Sequence, residues 1–226
     1  MMKVWGLIAV VMCMSFRMNA QQIKELQPEV RIELKFDKNE EKLIKRRDVL
    51  LSKDNRTSEE ENELQKLLEK YDETISSIWE TVGGGCSWYC GGGPYKISAS
   101  SHLEAISGIT YNADNIHDFS YKTVWAEGVD GNGIGESVTY YFMGKSPRVT
   151  QVLIANGYVK TDKAWSDNAR VKRMKMYVNG KPFAILNLKD VKKLQAFNVG
   201  TIGRNSGGKD WTIKFEILEV YKGALY

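Results

Sequence analysis

The chain has 226 residues, of which 42% are hydrophobic and 27% are charged, and a formal net charge of +4. This composition is that of a globular protein and excludes a chain that is disordered, collagenous or coiled coil throughout. Two histidines, His102 and His117, are too few for a three-histidine metal site or an HExxH zinc motif. The mild net positive charge does not mark a nucleic-acid-binding protein, which usually concentrates its basic residues, so we expect no nucleic-acid partner.

The first 20 residues have the pattern of an export signal. Lys3 precedes an almost wholly apolar run over residues 4–15, which is shorter than the roughly 20 residues of a membrane-spanning helix. Cleavage is predicted after Ala20. The mature chain is therefore expected to be secreted, periplasmic or at the cell surface, and to have no membrane span.

Two cysteines remain after cleavage, Cys86 and Cys90, within a glycine-rich segment at 82–94. In an oxidising compartment they are predicted to form a disulfide. The alternative is a redox dithiol, although such motifs place two residues between the cysteines rather than three. We interpret the segment as a disulfide-pinned linker between a domain at 21–81 and a domain at 95–226.

Residues 21–81 are charge-dense and have the pattern of a helical hairpin. The first helix is predicted over about 39–52. The second begins after Thr57, which forms a capping-box pattern with Glu60, and its apolar stripe continues to Trp79. The hairpin either packs this stripe on the neighbouring domain or docks a protein partner.

Residues 95–226 have the pattern of a β domain. Strands are predicted where apolar and polar residues alternate, or where a short apolar run occurs, at 138–142, 149–154, 173–178, 183–186 and 211–218. Asn179 and Gly180 both accept positive φ and predict a tight hairpin turn. Short strands without long helical patterns between them favour an antiparallel sandwich.

The loop between the second and third of these strands combines aromatic and polar side chains. Its candidate glycan-binding residues are Asn156, Tyr158, Trp165, Asn168 and Arg170. Sugar rings stack on aromatic faces, and sugar hydroxyls bond to amide and guanidinium groups. Tyr158 and Trp165 are thus candidate stacking platforms. The alternative is that Asn156 only forms a turn and Trp165 only packs on the core.

Other polar positions allow further chemistry. Asp118 either helps to bind calcium or bonds to its own loop, so calcium is a possible ligand. The glycines at 131–135 precede a strand and not a helix, which favours a turn over a phosphate-binding loop.

Glu127, Asp130 and Glu136 are available for glycoside hydrolysis, but any exported domain offers such carboxylates. His102 or His117 could belong to a Ser/His/Asp triad, but the chain has no Gly-x-Ser-x-Gly motif, so we expect no catalysis.

Six ordered motifs lie in the second domain: Tyr111–Asp118, Thr123–Gly128, Gly131–Glu136, Asn156–Tyr158, Asn168-x-Arg170 and Val220-Tyr221-x-Gly223. Together they resemble discoidin-like (galactose-binding-like) jelly rolls, and within these the NADase-type glycan-binding domain of exported bacterial proteins. The resemblance covers roughly residues 95–226. It implies an eight-stranded β-sandwich that binds glycans through loops at one end, without catalysis of its own. It also implies that Trp125 packs in the core and that Asp118 shapes a loop that holds calcium in related domains.

We therefore expect a mainly β protein, a discoidin-like antiparallel sandwich preceded by an α-helical hairpin. Its expected function is that of a secreted, non-catalytic carbohydrate-binding module. The alternative is a protein-interaction or cell-envelope assembly module that docks through the hairpin.

Overall fold

The structure is a computed structural model that describes residues 23–71, 75, 77–80, 93–203 and 208–225. The predicted export signal and the predicted pair Cys86–Cys90 lie outside these residues. Among the described residues, no helix is long and apolar enough to cross a membrane.

The described chain forms two β-sheets and a helical hairpin. Its elements are β1 (Lys24–Leu26), β2 (Glu29–Glu33), α1 (Lys38–Leu51), α2 (Ser58–Lys70), β3 (Lys96–Ala99), a 3-10 helix (Ala113–Ile116), β4 (Ser137–Phe142), β5 (Val149–Ala155), α3 (Asp162–Asp167), β6 (Arg170–Val178), β7 (Lys181–Asn187), β8 (Lys193–Ile202) and β9 (Trp211–Tyr221). The larger sheet has the order β1-β7-β6-β9-β4-β3, and the smaller has the order β2-β8-β5. The predicted β-sandwich preceded by a helical hairpin is confirmed.

Alternate residues of both sheets fill one core. In β9, Trp211 and Ile213 are buried and face Phe197 and Val199 of β8. The ring of Trp211 stacks on Phe142 of the neighbouring β4, with centroids 4.2 Å apart. Strand alternation thus places the apolar side chains of each sheet against those of the other.

The hairpin turn between β6 and β7 has the predicted geometry. Asn179 has φ of 50° and Gly180 has φ of 73°, so both central residues are left-handed, as a type I′ turn requires. The turn connects two strands that pair antiparallel.

Two short strands before the helical hairpin were not predicted. Leu26 of β1 pairs in parallel with Leu186 of the larger sheet, whereas Glu29 of β2 pairs antiparallel with Ala196 of the smaller sheet. The segment before α1 therefore adds an edge strand to each sheet. Most of its side chains are exposed, so no buried face marks these strands in the sequence.

The two long helices begin close to the predicted positions. The carboxylate of Asp37 caps α1 by accepting a hydrogen bond of 2.8 Å from the backbone N–H of Asn39. At α2 the capping box is present: the Thr57 hydroxyl accepts from the Glu60 backbone N–H, and the Glu60 carboxylate accepts from the Thr57 backbone N–H. These bonds satisfy donors that the first turn of a helix leaves unpaired.

The second helix ends at Lys70, earlier than the apolar stripe predicts. Ile75 and Ile78 still pack on the core of the hairpin, although they lie beyond α2. Trp79 stacks instead on Phe36, with ring centroids 4.4 Å apart. The apolar residues of the stripe therefore remain packed beyond Lys70, although the backbone is no longer helical there.

Arg47 is a charged residue in the core of the helical hairpin. Its side chain is only 1% exposed. The guanidinium donates to the backbone carbonyls of Tyr71 (3.1 Å) and Ile75 (2.6 Å), and it pairs with the carboxylate of Asp48. Arg47 of α1 therefore fixes the chain that leaves α2.

We expect Arg47→Ala to lower the free energy of unfolding by about 3 kcal/mol, because it removes the donors of two carbonyls and leaves a cavity. The matched control is Arg46→Ala, which removes a half-exposed pair with Glu63 and is expected to cost much less. Urea unfolding followed by circular dichroism measures both. Equal losses from the two variants would contradict the role given to Arg47.

Candidate functional site

The predicted glycan-binding loop, between β5 and β6, lies at one end of the sandwich and contains the short helix α3. The hydroxyl of Thr161 caps this helix by accepting a hydrogen bond of 2.9 Å from the backbone N–H of Ala164. Because β2, β5 and β7 all end at this end of the sandwich, the turn into α1 and the loop after β7 lie beside α3. Trp165 is carried by α3.

Arg170 holds the position of α3. It is 7% exposed, and its Nε and Nη2 each donate to one oxygen of Asp190 at 2.9 Å. Its Nη1 donates to the Asn168 carbonyl at 2.8 Å, and the guanidinium carbon lies 4.6 Å from the centroid of the Trp165 ring. This geometry favours a positioning role for Arg170 over contact with a sugar.

Asn156 is likewise committed to the backbone. Only 3% of it is exposed; its amide donates to the Val171 carbonyl (2.8 Å) and its oxygen accepts from the Val171 N–H (3.0 Å). The backbone carbonyl of Asn156 accepts a hydrogen bond of 2.9 Å from the indole N–H of Trp165. Asn156 therefore anchors the start of β6 and the Trp165 ring, and it does not present its side chain to a ligand.

The other two predicted residues retain exposed surface. Asn168 is exposed, although its amide donates to the Ala164 carbonyl at 2.7 Å. Tyr158 is half-buried, and its hydroxyl donates to the Lys122 carbonyl at 3.3 Å. The structure thus places four of the five predicted residues in the loop between β5 and β6 and Arg170 at the start of β6, and it divides the five into buried anchors and accessible positions.

A cleft of about 490 Å³ lies between α3 and the segment that joins β2 to α1. We call it the α3 cleft; it is lined by Glu33, Leu34, Lys35, Asp162, Lys163, Trp165, Ser166 and Lys192. Lys192 donates to the carboxylate of Asp162 at 2.7 Å, and this hydrogen bond lowers the pKa of Asp162. Sequence reasoning missed Lys192 and the residues before α1, because they are distant from Trp165 in the chain.

A second cleft, of about 480 Å³, lies at the opposite end of the sandwich. Tyr95, which is 51% exposed, and Met143 are among its lining residues. Its floor requires glycine, because a Cβ on Gly144 would lie 1.8 Å from the carbonyl oxygen of Gly208. Asp210 accepts a hydrogen bond of 3.0 Å from the Gly144 N–H. No motif in the sequence marked this cleft.

Asp118 bonds to its own loop. One carboxylate oxygen accepts from the Ser120 N–H (2.9 Å) and the other from the Thr123 hydroxyl (2.6 Å). Within the part of the chain that the structure describes, no three His, Cys, Asp or Glu residues group as metal ligands. Both Asp118 carboxylate oxygens thus accept hydrogen bonds within the loop, and calcium binding stays a prediction. Trp125 is partly buried, and its indole donates to the Ser101 carbonyl.

Glu127 and Glu136 lie on either side of the glycine-rich turn, which leads into β4 and not into a helix. Burial raises the pKa of Glu127. Hydrogen bonds from the hydroxyls of Ser100 and Ser101 lower the pKa of Glu136. Glu136 is thereby tied to the residues that follow β3, which gives it a structural role.

His117 lies half-buried in the loop of Asp118. Its ring packs edge-on against Tyr140, with centroids 5.6 Å apart, and contacts Phe119. Burial lowers the pKa of His117 below its ordinary value of 6.5, and the nearby charge of Asp118 offsets only part of this effect. The folded protein therefore favours the neutral imidazole.

This shift predicts a loss of stability in mild acid. The unfolded chain binds the His117 proton more tightly than the folded chain, so stability is complete above about pH 6.5 and declines as pH falls below it. We expect the urea concentration at the midpoint of unfolding to decrease when the pH is lowered from 7.5 to 5.5. The variant His117→Gln is expected to show a smaller decrease. The control is His102→Gln, because His102 is exposed. If His102→Gln reduces the pH dependence of stability as much as His117→Gln does, His117 is not the cause of that dependence.

The two asparagines of the loop provide a second test. Asn156→Ala leaves two buried backbone groups of Val171 unpaired and is expected to cost about 2 kcal/mol. Asn168→Ala changes an exposed residue and is expected to cost about 0.5 kcal/mol or less. Thermal or urea unfolding compares them, and a larger loss from Asn168→Ala would show that the assignment of anchors is wrong.

Known proteins similar to this chain include a solved structure and a protein family. A solved structure described as the CBM32-1 and CBM32-2 domains of Clostridium perfringens ZmpB is 12% identical, with a TM-score of 0.42; the match covers 76% of this chain and 52% of that one, about half its length. No curated protein sequence matches the chain. Residues 88–226, more than half of the chain, match the family described as the NAD glycohydrolase translocation F5/8 type C domain. This match confirms the resemblance to discoidin-like jelly rolls, and the chain belongs to that family.

Proposed function

We propose that the protein is an exported, non-catalytic module that binds a carbohydrate in the α3 cleft. The observation that carries this proposal is the position of Trp165, which lines the cleft beside the hydroxyl of Ser166 and the charged group of Asp162. An aromatic ring next to carboxylate, ammonium and hydroxyl groups suits a sugar, whose C–H face packs on the ring while its hydroxyls bond at the edge. The cleft volume is also within the range of ligand pockets, about 300–1,000 Å³.

The geometry of the loop gives each predicted residue a part in this proposal. Trp165 is the stacking platform, and Tyr158 and Asn168 lie on the same loop with accessible surface. Asn156 and Arg170 act through Trp165. The backbone carbonyl of Asn156 accepts a hydrogen bond from the Trp165 indole N–H, and the Arg170 guanidinium packs on the Trp165 ring. One ring and an open cleft bury little ligand area, so the affinity of a single site is expected to be weak.

The test begins with a glycan array probed with the folded, exported form of the chain. Binding of a glycan from the array is then measured by calorimetry. Trp165→Leu is expected to weaken binding roughly three- to tenfold, because it removes the stacking face, and Trp165→Phe is expected to restore most of the affinity. The control is Tyr95→Leu, which removes an exposed ring at the opposite end.

Several results would contradict this proposal. Loss of binding in Tyr95→Leu but not in Trp165→Leu would move the site to the second cleft. Turnover of a bound glycan that disappears in Glu127→Gln would indicate a hydrolase. Loss of binding in chelator would show that calcium takes part, which this proposal does not include.

The alternative function is docking of a protein partner through the helical hairpin. It is favoured by three apolar side chains of α1 that remain exposed, Leu43, Val49 and Leu51. A blank array from a folded, monodisperse protein would favour this alternative, and a pull-down with the wild-type chain against Val49→Lys would test it.

A further inference from the structure

The outward face of the larger sheet carries tyrosines and lysines. The core side of its strands holds Phe142, Met176 and Ile213, so the residues next to these in sequence point away from the core. We call this surface the tyrosine–lysine face, and its charged and aromatic residues are Lys96, Tyr141, Lys175, Tyr177, Lys214 and Glu216. They come from β3, β4, β6 and β9, which are neighbours in the sheet.

Each tyrosine of the face lies beneath a lysine ammonium. Lys96 pairs directly with Tyr141 across β3 and β4, and its Nζ lies 5.2 Å from the centroid of that ring. Tyr177 has two such neighbours: the Nζ of Lys214 is 4.2 Å and the Nζ of Lys175 is 5.2 Å from its centroid. Contact with a ring holds each charge near the sheet surface while leaving its other side to solvent.

One carboxylate interrupts this row of positive charge. Glu216 accepts hydrogen bonds from the Tyr177 hydroxyl (3.0 Å) and from the Lys214 ammonium (2.9 Å). These bonds fix the orientation of the Tyr177 ring. With three lysines and one glutamate, the face keeps a positive charge.

Positive charge is concentrated in the part of the chain that forms β4 to β9, in its strands and in the segments between them. Residues 101–136 contain six acidic residues and one basic residue, whereas residues 137–226 contain 16 basic and six acidic residues. An anionic polymer is therefore attracted to the sheet-bearing part of the domain and repelled by the loop between β3 and β4. This asymmetry selects the sign of the ligand charge.

We propose that the tyrosine–lysine face binds an anionic polysaccharide. The carboxylate or sulfate groups of the polysaccharide contact Lys96, Lys175 and Lys214. The sugar rings pack on Tyr141 and Tyr177. The tyrosines stand on β4 and β6, two strands apart, and Tyr177 is level with Thr139, two residues along β4 from Tyr141, so the tyrosines lie about 12 Å from each other.

The chemistry between the tyrosines favours a polysaccharide over a nucleic acid. Thr139 and Thr212 lie on the same outward side of β4 and β9, and a threonine hydroxyl can form hydrogen bonds with sugar hydroxyls. The cations of the tyrosine–lysine face are all lysines. Arginine, whose guanidinium binds phosphate through two parallel hydrogen bonds, is not among the residues that define this face. The nearby Arg173 is paired with Glu219 and Glu25.

The experiment measures binding of fluorescein-labelled oligogalacturonate by anisotropy at low salt, with neutral dextran of similar length as the negative probe. The test variant is Lys96→Gln/Lys175→Gln/Lys214→Gln. The matched control is Lys160→Gln/Lys189→Gln/Lys222→Gln, which removes the same charge elsewhere. We expect the test variant to weaken binding about tenfold and the control to weaken it less than about threefold. Tyr141→Leu/Tyr177→Leu is expected to weaken binding without changing net charge.

The outcomes separate this proposal from its rivals. Equal losses in the two lysine variants would show that overall charge, and not this face, attracts the polymer. Tighter binding of a single-stranded oligonucleotide than of oligogalacturonate would overturn the ligand class. Unchanged affinity in Tyr141→Leu/Tyr177→Leu would contradict the proposed packing of sugar rings on the tyrosines. Trp165→Leu is expected to retain oligogalacturonate binding, so failure of the α3-cleft proposal leaves this one testable.

Discussion

A small apolar cluster at one end of the sandwich joins three segments that are far apart in the chain. Leu34 directly follows β2, Tyr121 lies in the loop before β4 and Val159 lies in the loop that carries α3, and all three are buried. Phe36, Trp79 and Trp165 pack around them. Burial of each large apolar side chain contributes about 1.5–3 kcal/mol, so this contact is a substantial tie between the helical hairpin and the sandwich.

The same cluster determines how the α3 cleft is built. One wall, α3, lies within the residues that match the family, whereas the other wall, at residues 33–35, lies outside them. Lys192 connects the two walls: its Nζ donates a hydrogen bond to Asp162 of α3 and lies 5.5 Å from the centroid of the Phe36 ring. The shape and charge of the cleft therefore depend on a segment that the family domain alone does not contain.

The fold was largely predictable where side-chain burial follows a simple period. β9 alternates apolar and polar residues and was predicted, as was the turn at Asn179-Gly180. β8 was missed because its alternation is masked by Gln195, which is buried and bonds to the backbone of Lys189. β1 and β2 were missed because edge strands with exposed side chains have no buried face to reveal them.

The candidate site was predictable as a loop but not as a set of contacts. Amide and guanidinium groups suit a sugar and suit a backbone carbonyl equally well, and the sequence does not say which partner is nearer. In the structure Asn156 bonds to Val171 and Arg170 to Asp190, so polar residue types that indicated a ligand serve the loop itself. Trp165 differs because a ring can pack on the core with one part and line a cleft with another.

The two proposed surfaces differ in charge for a reason that lies in the topology. The acidic loop before β4 and the helical hairpin meet at one end, where Tyr121 donates to the Trp79 carbonyl at 2.8 Å. Residues 21–80 contain 16 acidic and 12 basic residues, so two acidic segments share this end, whereas residues 137–226, which form β4 to β9, carry an excess of basic residues. An anionic polymer is then drawn to the sheet and kept from the α3 cleft, whose own lysines are paired with Asp162, Asp167 and Glu33. A neutral sugar meets no such barrier in the cleft, so one domain has room for two ligands of different charge without competition between them.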